Sequence, residues 1–452
     1  MTLCTCVMAW ATDVNDAASF KAAWEDPSTT SIRLTDAITV SGVMVAAGNF
    51  TVDFNGFTIT ASEEYTLSVG GSYPNKLYDN VVTFTGEGGI TASVGCLDVY
   101  SKVVINGGNF TATTENGIYM NGAAELEMNG GSITTPQSAL VLSGTATATI
   151  AGGSINAAAG TGITVREGCE LTFSNGEIVG ENGINIVGGT LTVNNNGSIT
   201  GHNIGINITK GGTLTVNNGS ITGHYGINIT KEGGTLTVNN GSISSGDHYG
   251  IQLLGGTATI NGGTISGRGG GIVIVNNTSV LNIHGGTIVS DEMAISGNGT
   301  AKYWGTTINI DGGSIGSDAT QVAIYHPQAG TLNITGGTIT GQTGIGMKGG
   351  TLNISGGTIH AVGSNGERVE GYNNGIYQSN AAVQIESNPG YAGNMNITVS
   401  DNATLISDSW YAFYEYLSNP DAATKVNSIA VLVVISKEVF FFHNRLLPRA
   451  VS

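Results

Sequence analysis

The sequence predicts an all-β fold: a single right-handed parallel β-helix with three strands and about 22 residues per coil, opened by a short N-terminal capping helix. Three observations predict it. The isoleucine of a recurring Gly-Ser-Ile or Gly-Thr-Ile signature falls at Ile199, Ile221, Ile243 and Ile265, 22 residues apart each time. A Thr-Leu-Thr or Thr-Ala-Thr triplet keeps step from Thr190, Thr213, Thr235 and Thr257. Within each period, short pieces of alternating apolar and polar residues are separated by Gly-Gly or Asn-Gly pairs. A fixed period in the twenties marks a solenoid.

One repeat, residues 205–223, shows why. Ile206 and Ile208 flank Asn207, Leu214 and Val216 flank Thr215, and Ile221 lies between Ser220 and Thr222. Each piece has period two, so each is a short strand with one buried face. Gly211-Gly212 and Asn218-Gly219 stand between the pieces, and both residue types accept the positive backbone angles of tight corners. No room remains for a helix. Successive turns must stack strand above strand, about 4.8 Å apart, because no turn can bury its apolar face alone. The usual crossover chirality gives the right hand. A leucine-rich repeat needs closely spaced leucines and an asparagine ladder, and neither is expected here. The calcium-binding nonapeptide repeat needs an Asp in its glycine-rich turn, which most of these turns lack.

Composition fits that architecture. The chain has 71 glycines in 452 residues and only 10% charged residues, against about 7% and 25% in ordinary domains. Thr, Ser and Asn take the outer faces. The net charge of -17 argues against nucleic acid, whose binders carry basic patches. Cys96 and Cys169 are 73 residues apart, roughly three coils or about 15 Å along the axis, beyond disulfide reach. Both read as small buried core residues. Cys4 and Cys6 lie in the opening segment.

In chain order, residues 1–11 read as the remnant of a secretory signal peptide, with Ala9-Trp10-Ala11 resembling a cleavage site. No run reaches the length of a membrane span. Residues 12–30 hold the cap helix, running from Asp13 to Asp26. Asp13 is the expected N-cap, Asp16 lies in the first turn, Phe20 and Trp24 share a face, and Pro27 ends it. The helix would cover the open end of the coils. Residues 31–430 form the β-helix. Residues 431–452 lack glycine corners and read as an atypical tail, either a cap or a truncated or frame-shifted end.

The first strands, residues 31–34, 37–40, 50–54 and 57–60, carry a resemblance. The stretch AASFKAAWEDPSTTSIRLTDAITVSG, followed by FTVDFNGFTIT, resembles the pectate-lyase-like β-helix adhesive-domain proteins of bacterial surfaces. In that group an amphipathic helix precedes a T-I-x-L-x-x-D-I-T-L segment and a D-L-N-G-H-T-I segment. Ile32, Leu34, Asp36 and Ile38 match the first, and Asp53, Asn55, Gly56, Thr58 and Ile59 the second. Phe57 departs, standing where His is common. The resemblance implies a secreted or cell-surface protein that adheres to other surfaces.

The coil signature continues at Phe110, Ile133, Ile155 and Ile178 before the central repeats, and at Ile288, Ile315, Ile339 and Ile359 after them. Two insertions interrupt it. One carries Tyr303 and Trp304. The other, residues 363–393, carries Glu367, Arg368, Glu370, Tyr372, Glu386 and Tyr391. Insertions on a solenoid become surface loops.

Alignment of the coils puts His202, His224 and His248 at equivalent corners, with Tyr225 and Tyr249 after two of them and Asp247 before the last. With Tyr303 and Trp304 these are the candidate ligand-binding residues, because tyrosine and tryptophan rings stack on sugars. Parallel stacking gives a row of imidazoles rather than a cage, so no metal ligand, cofactor or catalytic residue is assigned. Lys210 and Lys231, or Lys348 with Arg368, Glu367 and Glu370, would be the bases and cations of a polysaccharide lyase. The Thr pairs 190/192, 213/215, 235/237 and 257/259 form a grid resembling ice-binding faces, which breaks at Val280, Asn282 and His284.

The expectation is a monomeric, non-catalytic protein, secreted or on the cell surface, that binds glycans or a host or bacterial surface, with no nucleic-acid partner and no membrane span. A polysaccharide lyase or glycoside hydrolase on the same scaffold is the first alternative and an ice-binding face the second.

Overall fold

The structure, a computed structural model, describes residues 11–62, 66–72, 74–276, 279–297, 305–326, 329–363, 369–370, 377–378, 380–387, 395–400, 402–409, 411–417, 425–429 and 433–435. The chain forms two compact units, Met1–Asn207 with Gly212–Leu214 and Ile208–Gly211 with Thr215–Ser452. Each is built from right-handed parallel coils of three strands, about 22 residues per turn.

In the first unit the strands Lys102–Ile105, Asn109–Ala112 and Ile118–Met120 make one coil. Glu125–Met128, Ser132–Thr134 and Leu140–Leu142 make the next. They pair in parallel without offset: Val103 on Leu126, Phe110 on Ile133, Ile118 on Leu140. In Ser154–Arg166 and Glu177–Val187 the second and third strands run together into one bent strand.

The second unit repeats the pattern. One internal column runs Ile221, Ile243, Ile265, Ile288, Ile315, Ile339, Ile359 and Leu405. A second runs Ile227, Ile251, Ile272, Ile295, Ile324, Ile345 and Val383. All of these side chains are buried, as are Ile199, Cys96 and Cys169 in the first unit. Each stacked isoleucine contributes roughly 1.5–3 kcal/mol by leaving water.

The helix is shorter than the sequence suggests. It spans Ala17–Trp24, and its N-cap is Asp16, whose Oδ1 accepts from Ser19 N at 2.7 Å in a capping box. Asp13 does not cap it. Thr12–Val14 is a strand paired in parallel with Ile32–Leu34, which buries Val14 and turns Asp13 outward. There the Asp13 carboxylate takes Arg33 Nε and Nη2, both at 2.9 Å. Helix propensity near Asp13 loses to its apolar neighbour Val14, which stacks on Leu34 inside the coil. Phe20 and Trp24 are fully buried. Trp24 packs on Phe50 at 5.2 Å, and Phe84 lies 5.8 Å from Phe54 and 5.2 Å from Phe110, so an aromatic stack continues the cap into the first coils.

At the other end, Lys425–Ile429 and Val433–Ile435 pair in parallel with Asn396–Val399 and Thr404–Ser407. The coil register therefore passes residue 430, where the sequence places the end of the β-helix. Residues 436–452 lie outside the described residues, as do residues 1–10 with Cys4 and Cys6.

Asparagine ladders, which the sequence reading does not expect, are present on the outside. In the second unit Asn217, Asn239 and Asn261 pass side-chain amide bonds of 2.7 and 2.8 Å. Asn282, Asn309, Asn333 and Asn353 do the same at 2.9 Å per step. Identical amides in consecutive coils satisfy one another, as in cross-β stacks. The coil repeat alone would have shown this.

The corners depend on glycine. Gly263 has φ +82°, and a Cβ there would meet Gly241 O at 2.7 Å and the Gly241 nitrogen at 3.1 Å. Both contacts are backbone and belong to the coil below, so neither can move aside. Gly263→Ala is expected to cost about 1–3 kcal/mol, read as a lower urea midpoint with an unchanged m-value. A midpoint within error of the wild type contradicts the corner argument.

Candidate functional site

Four of the residues singled out in the sequence, His224, Tyr225, His248 and Tyr249, meet at one corner of the second unit, between the second and third strands. Strand Ser220–Gly223 leads to Tyr225–Ile229, and Ser242–Ser245 to Tyr249–Leu253. Ile227 follows Ile221 by six positions, but Ile251 follows Ile243 by eight. The two additional residues let Asp247 reach toward the preceding coil.

Three contacts lock this corner. Asp247 Oδ2 lies 2.6 Å from His224 Nδ1. The Ser245 hydroxyl, nearly buried, donates to His224 O at 2.7 Å and accepts from His248 N at 2.8 Å. The rings then close on one another. His224 and His248 have centroids 4.0 Å apart at 63°, and Tyr225 lies on His248 at 5.0 Å and 23°. Tyr249 follows at 6.4 Å from Tyr225. Gly270, in the next coil, leaves the space that Tyr249 fills, since a Cβ there would come within 2.9 Å of the ring. Burial raises the Tyr249 phenol above its ordinary value, with smaller contributions from Tyr225 and Glu292. The result is a half-buried strip of four rings running along the coil axis, with one carboxylate at its edge.

His202 is exposed on the bent strand Ser198–Thr209 of the first unit. Tyr303 and Trp304 lie outside the described residues, as do Glu367, Arg368, Tyr372 and Tyr391. Among the described residues no three His, Cys, Asp or Glu side chains converge in a metal-binding arrangement. Lys210 has φ +52° in its turn and its backbone N donates to Glu232 Oε2 at 3.2 Å. Lys348 is buried with its ammonium 5.7 Å from the centre of the Tyr325 ring. The threonine grid is real over one coil step in the second unit, Thr235 on Thr257 and Thr237 on Thr259, and then meets Val280 and Asn282.

The sequence profile of the pectate lyase-like adhesive domain matches residues 11–278. The chain belongs to this family. No curated protein and no solved structure matches it. The adhesive-domain match includes the whole ring strip at residues 224–249.

Two groups beyond the matched residues have no counterpart in the sequence reading. His284 Nδ1 lies 2.8 Å from both Asp311 carboxylate oxygens, and His360 Nε2 lies 2.9 Å from Asp408 Oδ1. His284 and Asp311 each follow the first strand of their coil, so a stricter alignment of coils would have paired them. His326 is the second surprise. It stands in the internal column beside Met347, fully buried, and neither ring nitrogen has a hydrogen-bond partner among the described residues. The register that pairs Ser296 with Tyr325 sets Gly297 next to it in the preceding coil.

Burial holds the His326 imidazole down at about 4. The unfolded chain, with an ordinary value of 6.5, binds the proton more tightly. Stability from this group is therefore complete above pH 6.5 and is lost as pH falls toward 4, by on the order of 3 kcal/mol. Urea unfolding at pH 7 and pH 4.5 should show that loss in the wild type and a much smaller one in His326→Met. Equal acid sensitivity in both proteins contradicts the assignment.

Proposed function

We propose that this adhesive domain is a non-catalytic, monomeric protein of the cell surface or the extracellular space that binds glycans through the ring strip of Tyr225, His248 and Tyr249. The observation that carries the reading is the strip itself: aromatic faces repeated along the axis and held rigid by the Ser245 and Asp247 contacts. Rigid aromatic surface with a polar tip binds sugar rings at low entropic cost. A polymer with a regular repeat suits a surface with a regular repeat. Family membership supports the adhesive role. The low charge supports it too, since polar Thr, Ser and Asn faces are compatible with hydroxyl-rich partners. No described helix is long and apolar enough to cross a membrane.

A glycan array and a soluble polysaccharide panel, scored for both binding and release of unsaturated products, test the reading. Binding without product is expected, and Tyr225→Ala and Tyr249→Ala should each weaken it about tenfold, the equivalent of about 1.4 kcal/mol. Product release would move the function to a lyase. Binding that is absent, or indifferent to both substitutions, removes the proposal.

A further inference from the structure

In the first unit, the outer face of the third ladder carries a second cluster of a different make. Outward positions there fall in two columns. One runs Ser68, Asp98, Tyr119, Val141 and Thr164. The other lies two residues further along each strand and includes Tyr100, Asn121, Ser143 and Arg166. Arg166 Nη1 donates to the Tyr119 hydroxyl at 2.8 Å, and its guanidinium carbon is 5.6 Å from the ring centre. These residues are two coils apart, about 10 Å at the strand spacing, so the contact closes over the coil between them. Val141 lies in that coil, faces outward, and is nevertheless only 3% exposed. The Tyr119 ring therefore lies along the face, part-exposed, instead of standing off it.

On the opposite side of the ring, Asp98 accepts a hydrogen bond from Asn121 Nδ2. Burial pushes the Asp98 carboxyl up to about 6, and hydrogen bonds from Tyr100 and Asn121 resist that rise. A hairpin, Gly71–Ser72 with Asn75–Lys76, walls the Ser68 end of the face, where Ser68 Oγ donates to Gly71 O. Arg166 is exposed and uses one of its five donors on Tyr119.

A partly desolvated carboxyl, an amide and a guanidinium around a recumbent aromatic ring form a matched set. Planar polar groups grip neighbouring hydroxyls in pairs, and the ring takes an apolar C–H face. We propose that this face is a saccharide subsite seating one pyranose unit on Tyr119, with Asp98 and Asn121 at one edge and Arg166 at the other. The class of ligand rests on the adhesive reading, but the residues are separate from the His–Tyr corner. Neutral and uronic pyranoses share the ring chemistry. Arg166 can pair with a uronate carboxylate.

Calorimetry and saturation-transfer NMR on the full chain test the subsite, with methyl glucoside, methyl galactoside and trigalacturonate as probes. At least one probe should bind. Tyr119→Ala should abolish that binding, Asp98→Asn should weaken it about tenfold, and Tyr119→Phe, which keeps the ring, should weaken it less than Tyr119→Ala. Thr147→Ala, on a different ladder, is the control expected to bind as the wild type does. Trigalacturonate binding lost in Arg166→Gln assigns a uronate, and methyl glycoside binding that persists in Arg166→Gln assigns a neutral sugar; both support the subsite. No binding of any probe, or unchanged binding by a Tyr119→Ala protein with a wild-type thermal midpoint, overturns it. Loss of glycan binding in Tyr225→Ala but not in Tyr119→Ala keeps the adhesive reading and removes this subsite.

Discussion

Stacking without offset is the constraint on which this structure depends. Backbone hydrogen bonds run along the axis, so each residue lies directly on its counterpart one coil away, about 4.8 Å distant. The rule applies to the outside as strictly as to the core. Inside, it turns isolated isoleucines into columns such as Ile221–Ile243–Ile265. Outside, it sets like against like. Two equal charges at that spacing repel by about 1 kcal/mol in water and about 3 kcal/mol near a protein surface, and a column of them repeats the penalty at every step. The 10% charge content is then a consequence of the fold. Thr and Asn can face copies of themselves, and the asparagines gain an amide bond by it.

Where charge does enter a column, its sign changes from coil to coil. Asp13, Arg33 and Asp53 occupy one register position in three successive coils. Lys102 is paired in register with Glu125, and its ammonium reaches Glu127 as well. His224 with Asp247 and His284 with Asp311 likewise set an imidazole against a carboxylate of the next coil. These exposed pairs contribute little stability one by one. Their value is in register: a one-residue slip would set each charge against the wrong neighbour and turn every side chain of the strand over.

How much of this was legible follows from what a period can and cannot reveal. The 22-residue spacing located the internal columns, the buried cysteines and the row containing His224 and His248. It could not show how residues are shared among corners within a coil. Ile221 to Ile243 and Leu236 to Ala258 both span 22 residues, while Ile227 to Ile251 spans 24. The corner gained two residues and the following turn lost two, so the period stayed constant and concealed the change. That hidden pair of residues is what brings Asp247 into the site, while Ser245 keeps its register on Gly223. The helix cap failed for another reason: Asp13 and Asp16 are equal candidates by local chemistry, and only the long-range pairing of Val14 with Leu34 separates them. Asp98 and Arg166 were invisible because their meeting at Tyr119 requires the register of three coils and the turn of each side chain across the face.

The same constraint explains how a repetitive scaffold can carry irregular side chains. A repeat contacts only its neighbours, so an oversized group needs compensation one or two coils away and nowhere else. Glycine supplies it. Gly197 lies against the Phe173 ring, where a Cβ would come within 2.4 Å, and Gly270 does the same for Tyr249. Gly297 sits beside His326 in the core. A bulky residue and its glycine are thus one unit of change, written about a period apart in the sequence. An aromatic strip on such a surface costs the fold almost nothing elsewhere. A ring paired with a glycine roughly one coil away therefore marks a place where the coil has departed from its own repeat, and Tyr249 with Gly270 at the ring strip is such a place.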